Sequence, residues 1–410
     1  MTSHRLGRRC LLTFLLVSPM VATPEEFAPP LRWPEVAAAV ARQPLVLEAE
    51  ARARGATGVV WSAQEVPNPV VTAAGGEATA RDGTGSRREW GLAVELPLDF
   101  LATRGPRVAS AKASAAGVTQ EATGVRAQVL RTLRRDFVAL AHAQALLEAG
   151  LELEVQVGQL AALVRRRADR GEARPTEVPR VEIEHERLRS ALDRVRAGSE
   201  ARRQRLSTWL GSPVSRVDAD LAQALPLPPL EALSERVVVQ APSVQAGRAR
   251  LTAASEALSA ERWSRLPGLT LGGAHVEELD RIATTVTAAI TIPLWNWNSG
   301  RIRQAEAALE GERARLDATS RELTAALSDA WRGCAAGQSS ARRFREAILP
   351  RAEVSARTTG RAFELGETGL LDVIDTRRVL LDSRREYLDL LLDMQNACGD
   401  LAALAGLELP

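Results

Sequence analysis

Residues able to do chemistry are few and scattered in this chain. The histidines stand at His4, His142, His185 and His275, and no group of Cys, His, Asp or Glu has the short spacing of a metal site. The run His275-Val276-Glu277-Glu278-Leu279 invites a metal reading, but it reads better as a hairpin loop with solvated acids. No G-x-S-x-G elbow, P-loop or dinucleotide fingerprint occurs. No enzyme, cofactor or metal ligand is therefore expected. Asp372 and Asp375, in GETGLLDVIDTRR, are three residues apart and share one helix face. They can complement the positive end of a helix dipole.

The elements that position these acids come from the rest of the chain. Its 410 residues are 45% hydrophobic and 25% charged with only 4% aromatics, which suits long helices packed through small side chains. The formal charge is +2 and Lys112 is the one lysine, so no basic surface asks for nucleic acid. Arg5, Arg8 and Arg9, the apolar run Leu11 to Val17 and small residues around Ala22 predict a secretory signal over residues 1–22. Cys10 precedes that run, so no lipid anchor is expected. The run is too short to cross a bilayer and no later segment is long enough, which excludes an inner-membrane helix bundle.

The sequence is written twice. Pro44 matches Pro242 and Pro69-Val70-Val71-Thr72 matches Pro267-Gly268-Leu269-Thr270 at an offset of 198. VELPL ending at Leu98 matches ITIPL ending at Leu294, at 196. The offset then settles at 195: Gly105 with Gly300, Gly171 with Gly366, Glu177-Val178 with Asp372-Val373, Arg189 with Arg384, Gly211 with Gly406. One offset kept over about a hundred residues indicates duplication. A first repeat over 23–213 carries strands near 68–77 and 87–98 and a helical hairpin over 106–210. A linker over 214–230 leads to a second repeat over 231–410, with strands near 267–276 and 282–294 and a hairpin over 300–404.

The clearest strand is Ile282 to Pro293, where Ile282, Thr284, Val286, Ala288, Ile290 and Ile292 alternate with small and hydroxylated residues. Segments of about 9 to 11 residues alternating in this way are what a transmembrane barrel uses. Trp61, Trp90, Trp263, Trp295 and Trp297 fall in or near the ends of the strands, as an interfacial girdle would. Burial in a soluble sandwich is the alternative reading of these Trp. After Pro106 no proline interrupts the chain to about Arg170, and Val108, Ala111, Ala115, Val118, Ala122, Val125 and Val129 step by threes and fours. Such a helix is roughly 100 Å long, and a second runs from about Gly300 to Leu365. Two strand pairs cannot close a barrel alone, because open edges are intolerable in lipid. The chain must associate, and three copies would supply twelve strands. Cys334 and Cys398 lie about 33 and 30 residues either side of the second turn, hence nearly level on antiparallel helices. Both a disulfide and two buried thiols are open to them.

From about Trp33 to Gly406 the chain resembles the TolC-like outer-membrane efflux factor family, and LPLDFLATRGPRV and IPLWNWNSGRIRQAEA look most like its heavy-metal (CzcC-type) branch. The resemblance implies a homotrimer with a twelve-stranded β-barrel in the outer membrane, continued by a periplasmic α-helical barrel. It implies a passive exit duct served by a periplasmic adaptor (membrane fusion protein) and an inner-membrane RND-type pump. The family's D-V-x-D constriction at the periplasmic tip matches Asp372 and Asp375. Thr176 and Glu177 stand where relatives carry polar residues that close the tip, but Phe363 and Thr368 replace the usual Tyr and Arg, so the closing links look depleted. Arg170 or Arg174 with Glu364 or Glu367 could substitute for them. The alternatives are a drug-efflux or type I secretion member of the family, a periplasmic adaptor and a coiled-coil scaffold. An adaptor would carry one hairpin, where this chain has two, and a scaffold would need no alternating strands.

Overall fold

A computed structural model describes residues 29–81 and 83–407; the expected signal over 1–22, with Cys10, lies outside them. In the first half, β1 (Leu31–Arg32), α1 (Trp33–Ala38) and α2 (Pro44–Gln64) lead to strands β2 (Val70–Thr79) and β3 (Ser86–Pro97). The long helices α3 (Phe100–Asp169) and α4 (Glu177–Leu210) follow. After β4 (Val217–Asp218) the order recurs as α5 (Leu230–Gln240), α6 (Pro242–Trp263), β5 (Gly268–Glu277) and β6 (Ile282–Thr291). The chain ends in α7 (Ser299–Arg343), α8 (Leu349–Leu365) and α9 (Leu370–Ala405). The fold class is mainly helical with one small membrane-type sheet, as expected. The matched glycines take the same left-handed conformation, with φ 76° at Gly171 and 81° at Gly366, and 67° at Gly211 and 61° at Gly406. A side chain is strained there, so both halves end corresponding helices on the same residue type.

Strands β2, β3, β5 and β6 form one antiparallel sheet in that order, with open edges at β2 and β6. Residues paired across the strands share a face. Val71, Leu92 and Val94, Leu269 and Leu271, and Val286 and Ile290 fall on one face. Thr72, Glu95, Thr270, Thr285 and Thr287 fall on the other. The apolar face is bare, with Val286 89% exposed. At about 3.3 Å per residue, ten residues reach roughly 33 Å, enough to cross the hydrocarbon core with the strands tilted.

Three boundaries depart from the sequence pattern. Strand β6 ends at Thr291 because Pro293, two residues on, cannot donate to a ladder. Helix α3 starts at Phe100 and runs through Pro106, whose missing N–H costs it only one bond near its end. The second long helix is not continuous: Phe344–Ile348 form a π-helical turn, with the Leu349 N–H bonded to the Phe344 carbonyl, just ahead of Pro350. A proline cannot bond back into the helix, and a π turn accommodates that loss.

The main core lies midway along the helices, where Trp33, Leu133, Phe137, Leu327 and Leu401 pack together. The linker is tied to this core. β4 pairs in parallel with β1, Gln338 Nε2 donates to the Leu225 carbonyl at 2.8 Å, and Trp331 Nε1 donates to that of Pro228 at 2.9 Å. Gln395 Nε2 donates to the carbonyls of Leu221 and Gln223. Arg134 lies over the Trp33 ring at 4.9 Å, and burial pushes its pKa down to about 10.

Candidate functional site

At the far end of the helices, two hairpin turns lie side by side over a small second core. The turn after α3 and the turn after α8 close in the same way. Glu172 N–H bonds the Arg167 carbonyl and Gly171 N–H that of Ala168, while Glu367 N–H bonds Ala362 and Gly366 N–H bonds Phe363. These are Schellman closures, and each satisfies carbonyls that the helix end orphans. The first turn of α9 is two-faced. Leu370, Val373 and Ile374 are buried against Leu160, Val164, Val181 and Phe363, and Asp372 and Asp375 face solvent on the other side.

Asp372 is the third helical residue of α9. Its carboxylate accepts the Gly369 N–H at 3.2 Å and the Thr368 hydroxyl at 2.6 Å. The hydroxyl, and then the backbone N–H, hold this carboxyl below the usual carboxylate range, so it stays ionised. Helix capping and a carboxylate turned to solvent thus coexist in one residue.

The expected closure residues are not gathered into one polar cluster. Thr176 caps the start of α4 without a side-chain hydrogen bond, and Glu177 is half-buried beside it. Thr368 is engaged with Asp372. Phe363 is buried inside the tip core, so a hydroxyl on its ring would point into the protomer. The arginine joining the two turns is Arg167, not Arg170 or Arg174. Its guanidinium lies 5.0 Å from the Phe363 ring and donates to the carbonyls of Phe363 and Glu364 at 3.0 and 2.7 Å. Sequence reasoning passed over it among neighbouring arginines, although an arginine level with orphaned helix-end carbonyls is a usable signal.

Four of the tryptophans gather where helices meet sheet: Trp61 near the end of α2, Trp263 closing α6, and Trp295 and Trp297 between β6 and α7. All four are exposed, Trp295 at 91%. Trp90 stands apart toward the other end of the sheet, where its indole N–H donates to Glu277 at 2.8 Å and its ring lies 5.5 Å from His275. His275 lies within β5 and not in a loop, bonded to the Thr284 hydroxyl across the strand pair. Among the described residues no group of three or more His, Cys, Asp or Glu could hold a metal ion.

Cys334 on α7 and Cys398 on α9 form a disulfide, with Cα atoms 4.7 Å apart. Packed helix axes ordinarily lie 8–10 Å apart, so the helices must approach closely for such a bond. Gly337 permits it, since a Cβ there would stand 3.0 Å from that of Met394.

A sheet with one bare apolar face and two open edges, continued by helical hairpins roughly 100 Å long, defines an outer-membrane duct protomer. The family model described as "Outer membrane efflux protein" matches residues 233–407, within the second repeat. The chain is 25% identical over 392 residues to the cobalt-zinc-cadmium resistance protein CzcC of Cupriavidus metallidurans, covering 93% of this chain and 92% of that protein. It is 27% identical over 205 residues to the pyoverdine export outer membrane protein OpmQ of Pseudomonas putida, covering 47% and 43%. Of solved structures, CusC matches with TM-score 0.78 at 16% identity over 91% of both chains. VceC of Vibrio cholerae matches with TM-score 0.77 at 17% identity over 92% of this chain and 97% of that one. Residues 233–407 thus match the outer membrane efflux protein family, and likeness over nearly the whole chain is to outer-membrane efflux channels that reach into the periplasm. No described helix is long and apolar enough to cross a membrane.

Proposed function

We propose that three copies of this chain form the passive exit duct of a heavy-metal cation efflux system, with cargo delivered by an inner-membrane RND-type pump through a periplasmic adaptor. The open edges of β2 and β6 support self-association, because each leaves a row of unpaired backbone groups that lipid cannot satisfy. Twelve strands then enclose the lumen, with the Thr-rich face inward and the apolar face toward lipid. The heavy-metal branch is supported by likeness to CzcC over nearly the whole chain, whereas likeness to the pyoverdine exporter covers less than half.

The observation that carries the mechanism is the solvent-facing pair Asp372 and Asp375 on a helix whose other face is locked into the tip core. Threefold symmetry would set six carboxylates around one opening, a ring that favours cations and raises the barrier to anions. Arg167, gripping the end of α8, keeps the two turns of one protomer in register so that the acids present together. Selection by the ring is electrostatic and spends no energy; direction comes from the pump.

Block by a trivalent cation in planar bilayers tests this reading. In the isosteric double variant Asp372→Asn with Asp375→Asn, the blocking concentration should rise by roughly tenfold or more, since the site loses all its fixed charge. Unchanged block in a conducting variant would remove the ring from the mechanism.

A further inference from the structure

Directly below the sheet, α2, α3 and α6 line an open cleft of about 610 Å³ whose lining has two guanidinium and two carboxylate groups: Arg104, Arg107, Glu65 and Glu261. We propose that it holds the headgroup of a membrane phospholipid carrying a phosphate and a primary ammonium, that is, phosphoethanolamine.

Its depth points to lipid. Pro67 and Phe100 also line the cleft; Pro67 lies three residues before β2 starts and Phe100 three residues after β3 ends. The cleft therefore opens at the level where the hydrocarbon stops and headgroups begin. Trp61 and Trp263, both exposed, sit on its own walls α2 and α6 and mark the same level. The placement rests on the sheet lying in the outer membrane.

The charges select the headgroup. Arg104 spends Nε and one terminal nitrogen on the Gln64 carbonyl, at 3.2 and 2.6 Å, which fixes its guanidinium and leaves its other terminal nitrogen to donate. Arg107 lies three residues on, on the same helix face, and has no ion-pair partner among the described residues. Two guanidinium groups side by side suit a phosphate. An anionic headgroup would meet the carboxylates of Glu65 and Glu261 with nothing to offer them. An ammonium next to the phosphate answers both, and Glu261 is already fixed for it, with Oε2 accepting the Asn298 amide at 2.6 Å. The apolar surface of Pro67 and Phe100 leaves a path for the acyl chains.

Native mass spectrometry of the purified trimer, loaded with phosphatidylethanolamine, phosphatidylglycerol or phosphatidylcholine of identical acyl chains, tests the site. The ethanolamine lipid should be retained preferentially. Arg107→Gln should weaken its retention by roughly tenfold, the worth of one charge-assisted contact. Glu65→Gln should narrow the preference over the glycerol lipid. Soluble phosphoethanolamine at the same concentration should not compete, because the acyl chains supply the anchoring. Equal retention by wild type and Arg107→Gln, or no preference between ethanolamine and glycerol lipids, overturns the proposal. Channel conductance separates the levels: a conducting wild type with no lipid preference fails this inference alone, and one that forms no channel fails the membrane placement beneath it.

Discussion

Breaking the bond between Cys334 and Cys398 measures what one staple contributes to a very long helical hairpin. The bond closes a segment of 64 residues, and restricting the unfolded chain over such a loop contributes about 4 kcal/mol. That figure is a ceiling, since structure left in the unfolded chain lowers it. The double variant Cys334→Ala with Cys398→Ala and the reduced wild type should both unfold at clearly lower guanidinium than the oxidised protein. Protein concentration must be held fixed, because dissociation of the proposed trimer is linked to unfolding. Channel behaviour should not follow. Cys334 precedes the end of α8 by 31 residues of mostly helical chain, which places the bond roughly 47 Å above the tip. Reduction should leave single-channel conductance and cation block as they were. Two results refute the reasoning: two alkyl groups per chain after non-reducing denaturation, or equal unfolding midpoints with and without reductant.

Thr368→Val removes the hydroxyl that most lowers the Asp372 pKa. The carboxyl should then titrate nearer the ordinary carboxylate value, so that cation block fades at a higher pH in the variant than in wild type; identical pH profiles would detach Thr368 from the proposed constriction. His142, buried and 2.8 Å from Asp389, is held below its ordinary pKa, first by burial, with Asp389 pulling the other way. Its unfolded form therefore takes up a proton first, and stability present above about pH 6.5 is lost as the pH falls through that value. His142→Asn should flatten this loss, read as unfolding midpoints between about pH 5 and 7.

Much of the architecture is a local property and was legible in the residues. Alternation over Ile282 to Ile292 can be satisfied only by a strand with unlike faces, and it needs no knowledge of the neighbours. The helices are equally legible, because proline is so sparse between Phe100 and Asp169 that nothing ends them. Gly171, Gly366, Gly211 and Gly406 mark the turns, since the left-handed backbone there favours glycine. The expectation of partner chains came from counting strands. The axial level of the two cysteines was also legible, because rise per residue is nearly constant along a helix.

What the tertiary structure decided is phase and pairing between distant elements. A helix drifts by about 20° per heptad against a strict seven-residue repeat, so over the thirty or so residues from a turn to Cys334 the facing of a side chain cannot be counted out. The π turn at Phe344–Ile348 shifts that phase again, and the sequence marks it only by Pro350. For the same reason Phe363, expected among the residues at the tip closure, proved to face the protomer's interior, where Leu160, Val164, Val181 and Val373 surround it. The choice of Arg167 over Arg170 and Arg174 depends on where the Phe363 and Glu364 carbonyls end up. Those carbonyls lie 196 and 197 residues away along the chain, a relation no local pattern can encode.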